Sequence, residues 1–232
     1  MKSFYHNAPE KFIIWSYLLL ETVLFFLILW SENTLPYAVT GKIMYSSIVL
    51  NFLVMAFFYL RYRGDFRIPL ALTLTLAADF LLTYLNRYFI AGVFCFILVQ
   101  SAYWWKLGIG TKNAVLRLFL ALFWLGLLSV LGMPVKEGIF CSLSMGILSG
   151  NVICAWTSVH KGDKGMLMLA VGLTLFAGCD FSLGLRIVTE SMENMALVHH
   201  VSDNLTWVFY LPSQVILCLC YIHENNKKHH CL

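Results

Sequence analysis

Three carboxylic acids stand well inside long apolar stretches of this chain: Glu21, Asp79 and Asp180. A charge at the centre of a bilayer costs at least about 2.5–3.5 kcal/mol, so such residues usually face a protein interior or a water-filled cavity and default to function. Asp79 and Asp180 also share their surroundings. At an offset of 101 residues, Leu72-Thr73-Leu74 meets Leu173-Thr174-Leu175 and Asp79-Phe80-x-Leu82 meets Asp180-Phe181-x-Leu183, with six of eleven positions identical. Each Asp is the only acid in its stretch. Asp79 stands eight residues before Arg87 and Asp180 six before Arg186. At a rise of about 1.5 Å per residue, both lie roughly 9–12 Å inside the corresponding helix ends. Two carboxyls at matching depth can face each other across one cavity. The plainer alternative is a pair of hydrogen-bonded carboxyls that fix helix packing. For Glu21, which has no such echo, packing is the favoured reading.

Other polar residues cluster around the pair. Thr75, Thr83 and Asn86 recur at helical spacing from Asp79 and predict one polar stripe. Ala77, Ala78, Gly178 and Cys179 are small, leaving room for a ligand or for close helix approach. Phe96-x-x-x-Gln100 is echoed by Tyr210-x-x-x-Gln214. Gln100, Tyr103, Tyr210 and Gln214 suit the polar end of a substrate, or equally hydrogen bonds between helices. Pro212 frees backbone carbonyls and predicts a kink between Tyr210 and Gln214. Asn51 and Asn151 read as interhelical hydrogen-bonding residues. Lys42 is a snorkelling anchor or a phosphate contact. All seven His fall in loops or tails, which argues against a His-dependent intramembrane protease or a His-ligated zinc hydrolase. His199-His200-x-x-Asp203 reads as a solvated loop rather than a metal site. The cysteines have no zinc-site spacing and read as small apolar packing residues.

The elements that carry these residues follow from composition. Of 232 residues, 60% are hydrophobic and only 12% charged, against roughly 25% charged in a soluble domain. That excludes a soluble globular enzyme and a disordered chain. A net charge of +4, dispersed along the chain, excludes a nucleic-acid binder. The expectation is an all-α membrane bundle, one integral-membrane domain over 1–232, with eight spans near 12–30, 43–60, 67–85, 89–107, 114–131, 138–158, 164–188 and 205–222. Each is close to the roughly 20 apolar residues that cross a bilayer. The first is too long for a cleavable signal. Twelve of the 16 Lys and Arg fall on the side of the two termini, leaving Lys42, Arg87, Lys136 and Arg186 on the other. The positive-inside rule then places both termini in the cytoplasm. The echo between the third and seventh spans, which run in the same direction, predicts a 4+4 parallel repeat.

These residues resemble the YhhN family of eight-helix membrane proteins, which includes the lysoplasmalogenases. The resemblance rests on Leu76-Ala77-Ala78-Asp79-Phe80-Leu81-Leu82, Gly92, Phe96 through Gln100 to Tyr103, Gly172-x-x-x-Phe176-x-x-x-Asp180, and Tyr210-x-x-x-Gln214, with Lys42 opening the second span. It covers about residues 10–222. The chain departs from the family where Gln100 replaces a common His, where Ala78 and Cys179 precede the two Asp, and where Ile43 follows Lys42. The resemblance implies cleavage of the vinyl ether of a lysoplasmalogen, a lyso-ether phospholipid, to a fatty aldehyde and a glycerophospho-base. It implies Asp79 and Asp180 as catalytic acid and base, Lys42, Gln100, Tyr103, Tyr210 and Gln214 as substrate contacts, and no metal or cofactor. Rate-limiting protonation of the alkenyl carbon makes an oxocarbenium ion, so two carboxyls suit it as they suit glycosidases. The expected partners are that substrate and membrane lipids, in a bacterial inner membrane. Two other readings stay open: a small proton-coupled transporter, and a lipid-binding protein without turnover.

Overall fold

The computed structural model describes residues 8–32, 34–189 and 195–229. Lys2, His6, His230 and Cys231 lie outside them. The chain is all-helical there: α1 (Ala8–Glu32), α2 (Tyr37–Tyr62), α3 (Arg67–Asp79), α4 (Phe89–Leu107), α5 (Thr111–Val130), α6 (Val135–Thr157), α7 (Lys164–Thr189) and α8 (Ala196–His229). α3 runs on into a π-helical turn, Phe80–Tyr84, and with that turn all eight are long and apolar enough to cross a membrane. Two helices start six or more residues before the expected position. α2 begins at Tyr37, directly after Pro36, which cannot continue a helix backwards but pre-sets the entry. Lys42 therefore sits in the second turn rather than at the helix mouth. α8 begins near Ala196 and passes through Pro212 as one 34-residue helix.

Burial sorts the helices into inner and outer. α8 packs on α1, α2, α3 and α7, and α6 packs on α4, α5 and α7. These two helices carry the centre of the bundle. α1 and α5 are peripheral, and their outer faces are large and apolar: Phe12, Trp15 and Leu19 on α1, Val115, Leu118 and Phe119 on α5. In water such faces would mark an aggregation hazard; in a bilayer they are what lipid chains wet. α5 meets α6 closely because Gly146 lies against the Ala121 backbone, where an added Cβ would approach to 2.5 Å.

Polar residues between α1 and α2 bond one another. Glu21 accepts hydrogen bonds from Ser47 (2.6 Å) and from Asn51 Nδ2 (2.9 Å), and Tyr17 donates to Asn51 Oδ1. Glu21 thus knits α1 to α2, and Asn51 takes the interhelical role expected of it. The 101-residue echo does not extend to backbone geometry: the chain widens into a π turn after Asp79 but stays α-helical from Asp180 to Thr189.

The end of the bundle where α2 meets α3 is tied by charge. Asp65 accepts from Arg67 Nη2 (2.7 Å) and Lys106 Nζ (3.1 Å), and Lys106 also reaches Glu224 (2.6 Å), so one cluster joins the α2–α3 connection to α4 and α8. Burial alone would push the Asp65 carboxyl up, but the Arg67 and Lys106 contacts outweigh it and hold the group well below the usual carboxylate range. A depressed carboxyl stabilises the fold above its unfolded pKa, and that contribution fades as pH falls. Asp65→Asn should therefore cost about 1 kcal/mol at neutral pH. In detergent the thermal midpoint should drop by roughly 2–4 °C. The gap from wild type should shrink once the pH falls below about 4.

Candidate functional site

Asp79 and Asp180 line one cavity of about 600 Å³. It opens at the end of the bundle where α3 turns into α4 and α5 into α6. Tyr37, Asn86, Arg87, Tyr88, Pro134 and Glu137 stand around the mouth, Leu82, Leu183 and Ile187 form apolar walls, and Phe96 and Tyr210 lie with the two carboxyls. The depth match read from the sequence corresponds to a shared space.

The backbone after Asp79 explains how the carboxyl is presented. The Leu85 N–H bonds the Phe80 carbonyl at 2.9 Å, an i to i−5 bond, and the Arg87 N–H bonds Leu81 at 3.0 Å. Such wide turns occur often at functional sites. The extra residue re-aims the polar stripe: Thr83 and Asn86 line the cavity with Asp79, while Thr75 bonds back to the Ala71 carbonyl and does not. The turn is held from outside by the Tyr45, Phe80 and Tyr84 rings, Phe80 and Tyr84 being stacked 5.4 Å apart. α2 comes close to the Thr83 carbonyl, which an added Cβ on Gly41 would approach to 2.8 Å. The chain then reverses through Asn86 (φ 47°) and Tyr88 (φ 59°), left-handed positions that only Asn among the two takes readily.

The two carboxyls are held differently. Asp79 is buried and accepts a hydrogen bond from the Tyr210 hydroxyl. The Tyr210 ring is wedged edge-on between Phe176 (5.7 Å) and Trp207 (5.6 Å), and Phe176 in turn meets Phe96. That aromatic clamp fixes where the hydroxyl points. Asp180, one residue past the buried Cys179, is half-buried and has no hydrogen bond to another described residue. One carboxyl is pinned and the other is free to meet a ligand.

Of the five residues expected to contact substrate, the cavity includes Tyr210 alone. Lys42 is exposed on α2 and does not line it. Gln100 is fully buried and takes hydrogen bonds from Asn151 Nδ2, on its backbone oxygen at 2.8 Å and its side-chain oxygen at 3.4 Å. Gln214 donates to Ser213 Oγ at 3.2 Å. Tyr103 is buried in the apolar core with Cys218 and Cys220. All three sit in helix packing, but only Gln100 takes the interhelical hydrogen bond the sequence left open: Gln214 bonds its own neighbour on α8, and the Tyr103 hydroxyl is buried without a hydrogen-bond partner among the described residues. His199 Nδ1 lies 3.2 Å from the Arg186 carbonyl, and Asp203 pairs with Arg186 at 2.6 Å. Both lie within α8, as do His200 and His223, and not in the loop or tail expected from the sequence, and they tie α7 to α8. Among the described residues no three His, Cys, Asp or Glu side chains cluster at ligating distance.

Three charged residues join the site that side-chain reasoning had not placed there: Arg87, Glu137 and Arg186. The sequence carried a signal for two of them. Arg87 and Arg186 follow the two Asp by eight and six residues, so each closes the helix that presents a carboxyl. Arg186 is occupied by Asp203, whereas Arg87 is exposed and has no ion partner among the described residues. No protein-family model, curated protein or solved structure matches this chain.

Proposed function

We propose that the protein is a membrane hydrolase of the vinyl ether bond in single-chain ether phospholipids, as its resemblance to lysoplasmalogenases implies. The observation that carries this reading is the pair of carboxyls, from α3 and α7, lining one cavity with apolar walls and a charged mouth. Asp180, which no donor among the described residues holds, is the proton donor to the alkenyl carbon. Asp79, fixed by Tyr210, is the carboxylate that faces the oxocarbenium ion. Water adds to that ion and returns a proton to the carboxylate pair. The hemiacetal then breaks its carbon–oxygen bond to the glycerol, the hydroxyl proton passes to the departing oxygen, and a fatty aldehyde remains. The bond is cleaved with one water consumed and no change of redox state.

In this reading the cavity faces away from the cytoplasm, with both termini on the cytoplasmic side, and lipid phosphate meets Arg87. A charge-assisted hydrogen bond to an exposed guanidinium contributes about 1.5 kcal/mol. Arg87→Ala should then raise KM for lysoplasmenyl-ethanolamine by on the order of tenfold with little change in kcat. Turnover of the phosphate-free alkenylglycerol should not change. Equal effects on both substrates would remove Arg87 from headgroup recognition.

The deciding experiment is purified protein in mild detergent, given lysoplasmenyl-ethanolamine and -choline, with fatty aldehyde followed by mass spectrometry. Aldehyde above the protein-free rate supports the reading. None from folded protein overturns it; proton-dependent lipid uptake by vesicles holding the protein would then favour a transporter.

A further inference from the structure

A second hollow, about 670 Å³, lies beside the carboxyl cavity. It is lined by Ile90, Ala91 and Phe94 from the first turns of α4 and by Phe140 from α6. Tyr88, Phe89 and Glu137 line both spaces, so the two are continuous at the mouth. The lining differs sharply between them. The cavity carries the carboxyls, two arginines and Asn86; away from the shared rim the hollow is wholly apolar. It also opens sideways rather than along the bundle axis, since Ala91 and Phe94 are exposed on the outer face of α4. In a spanning bundle that face meets hydrocarbon. Ile90 to Phe94 occupy the first roughly 8 Å of α4, so the groove runs inward from the mouth toward the depth of the two Asp.

We propose that this groove between α4 and α6 seats the hydrocarbon chain of the lipid whose polar part occupies the carboxyl cavity, and that the lipid enters sideways from the leaflet. The inference rests on the hydrolase reading for the identity of the lipid. A chain laid in the groove lets the headgroup stay at the charged mouth while the bond next to the glycerol dips toward Asp79 and Asp180. The whole molecule need not leave the bilayer, and the long apolar tail need not cross a ring of charged residues. The groove is continuous with the cavity through Tyr88, Phe89 and Glu137, which sets this seat apart from a shallow depression on the lipid-facing surface that leads nowhere.

The test uses the full-length protein in phosphatidylcholine vesicles with a saturated 1-O-alkyl lysophosphatidylethanolamine carrying a diazirine midway along its chain. This probe has no vinyl ether, so labelling is independent of turnover. On illumination, adducts should concentrate on residues 89–94 and on Phe140. Ala91→Trp, at an exposed helix position, should fill the groove and cut that labelling by on the order of tenfold. Leu118→Trp, on the lipid-facing surface of α5, should leave it unchanged. Labelling spread equally over α4 and the α5 face, or unaffected by Ala91→Trp, overturns the proposal. Aldehyde assays on the same proteins separate the two readings. Groove labelling without aldehyde from wild type upholds the chain seat and removes the hydrolase. Aldehyde from wild type with evenly spread labelling does the reverse. If both hold, Ala91→Trp should raise KM for a long-chain substrate and spare a four-carbon alkenyl analogue.

Discussion

Asp79→Asn and Asp180→Asn should each lower kcat for aldehyde release by on the order of 10²–10⁴, the usual contribution of a positioned acid or base. Both replacements keep size and shape. The amide oxygen introduced at position 79 still accepts from Tyr210, so the clamp between Phe176 and Trp207 stays in place. The change at position 180 breaks no hydrogen bond that the wild type makes to a described residue. Neither variant gives the fold a reason to fail, which thermal unfolding in detergent would verify. KM should change little, because the lost interaction forms with the reacting carbon and not with the resting lipid. The double variant should be hardly worse than the slower single one, since a proton donor without its partner carboxylate cannot complete the cycle. Full turnover in both folded singles would remove the pair from the chemistry.

The carboxyl pair was legible because an acid in an apolar span is costly, and a matched depth needs only residue counting. Helix number followed from the same arithmetic of length and apolar content. What the sequence withheld was rotation about each helix axis. Gln100 and Gln214 each lie one turn from an aromatic residue, yet both turn into packing, because which face meets which neighbour depends on all eight helices at once. Asp79 and Tyr210 meet across 131 residues, and nothing local to either announces it. The π turn at Phe80–Tyr84 is written in residues that read equally well as α-helix; its cause is tertiary, in the aromatic cluster with Tyr45 and the approach of α2 at Gly41. Arg87 and Arg186 were visible as topology markers, and only the cavity gives them a second role.

Asn151→Leu should destabilise the bundle on the order of 3 kcal/mol, the largest expected effect on folding, because it strands a buried cation. Arg117 on α5 is 2% exposed. Its Nε and Nη2 both donate to Asn151 Oδ1, at 3.2 and 2.8 Å, and Nη1 donates to the Asn113 carbonyl at 2.8 Å. The guanidinium lies 4.6 Å from the centre of the Trp104 ring. No carboxylate pairs with it among the described residues, so the Asn151 oxygen and the ring face compensate much of the charge. Gly150 leaves the space: a Cβ there would stand 2.4 Å from Arg117 Cγ. Asn151 also donates to Gln100, so one side chain joins α4, α5 and α6. With leucine in its place the guanidinium keeps its length and charge and loses two acceptor contacts in a medium that cannot replace them. Removing the charge as well should recover much of the loss, since a buried polar pair replaced by apolar groups of similar shape is nearly neutral. Arg117→Met/Asn151→Leu should therefore melt above Asn151→Leu alone. If the double variant melts at or below the single, the cost lies in helix shape and the stranded charge is not its source. Aldehyde release per folded molecule should stay near wild type in both, because neither Arg117 nor Asn151 lines the carboxyl cavity.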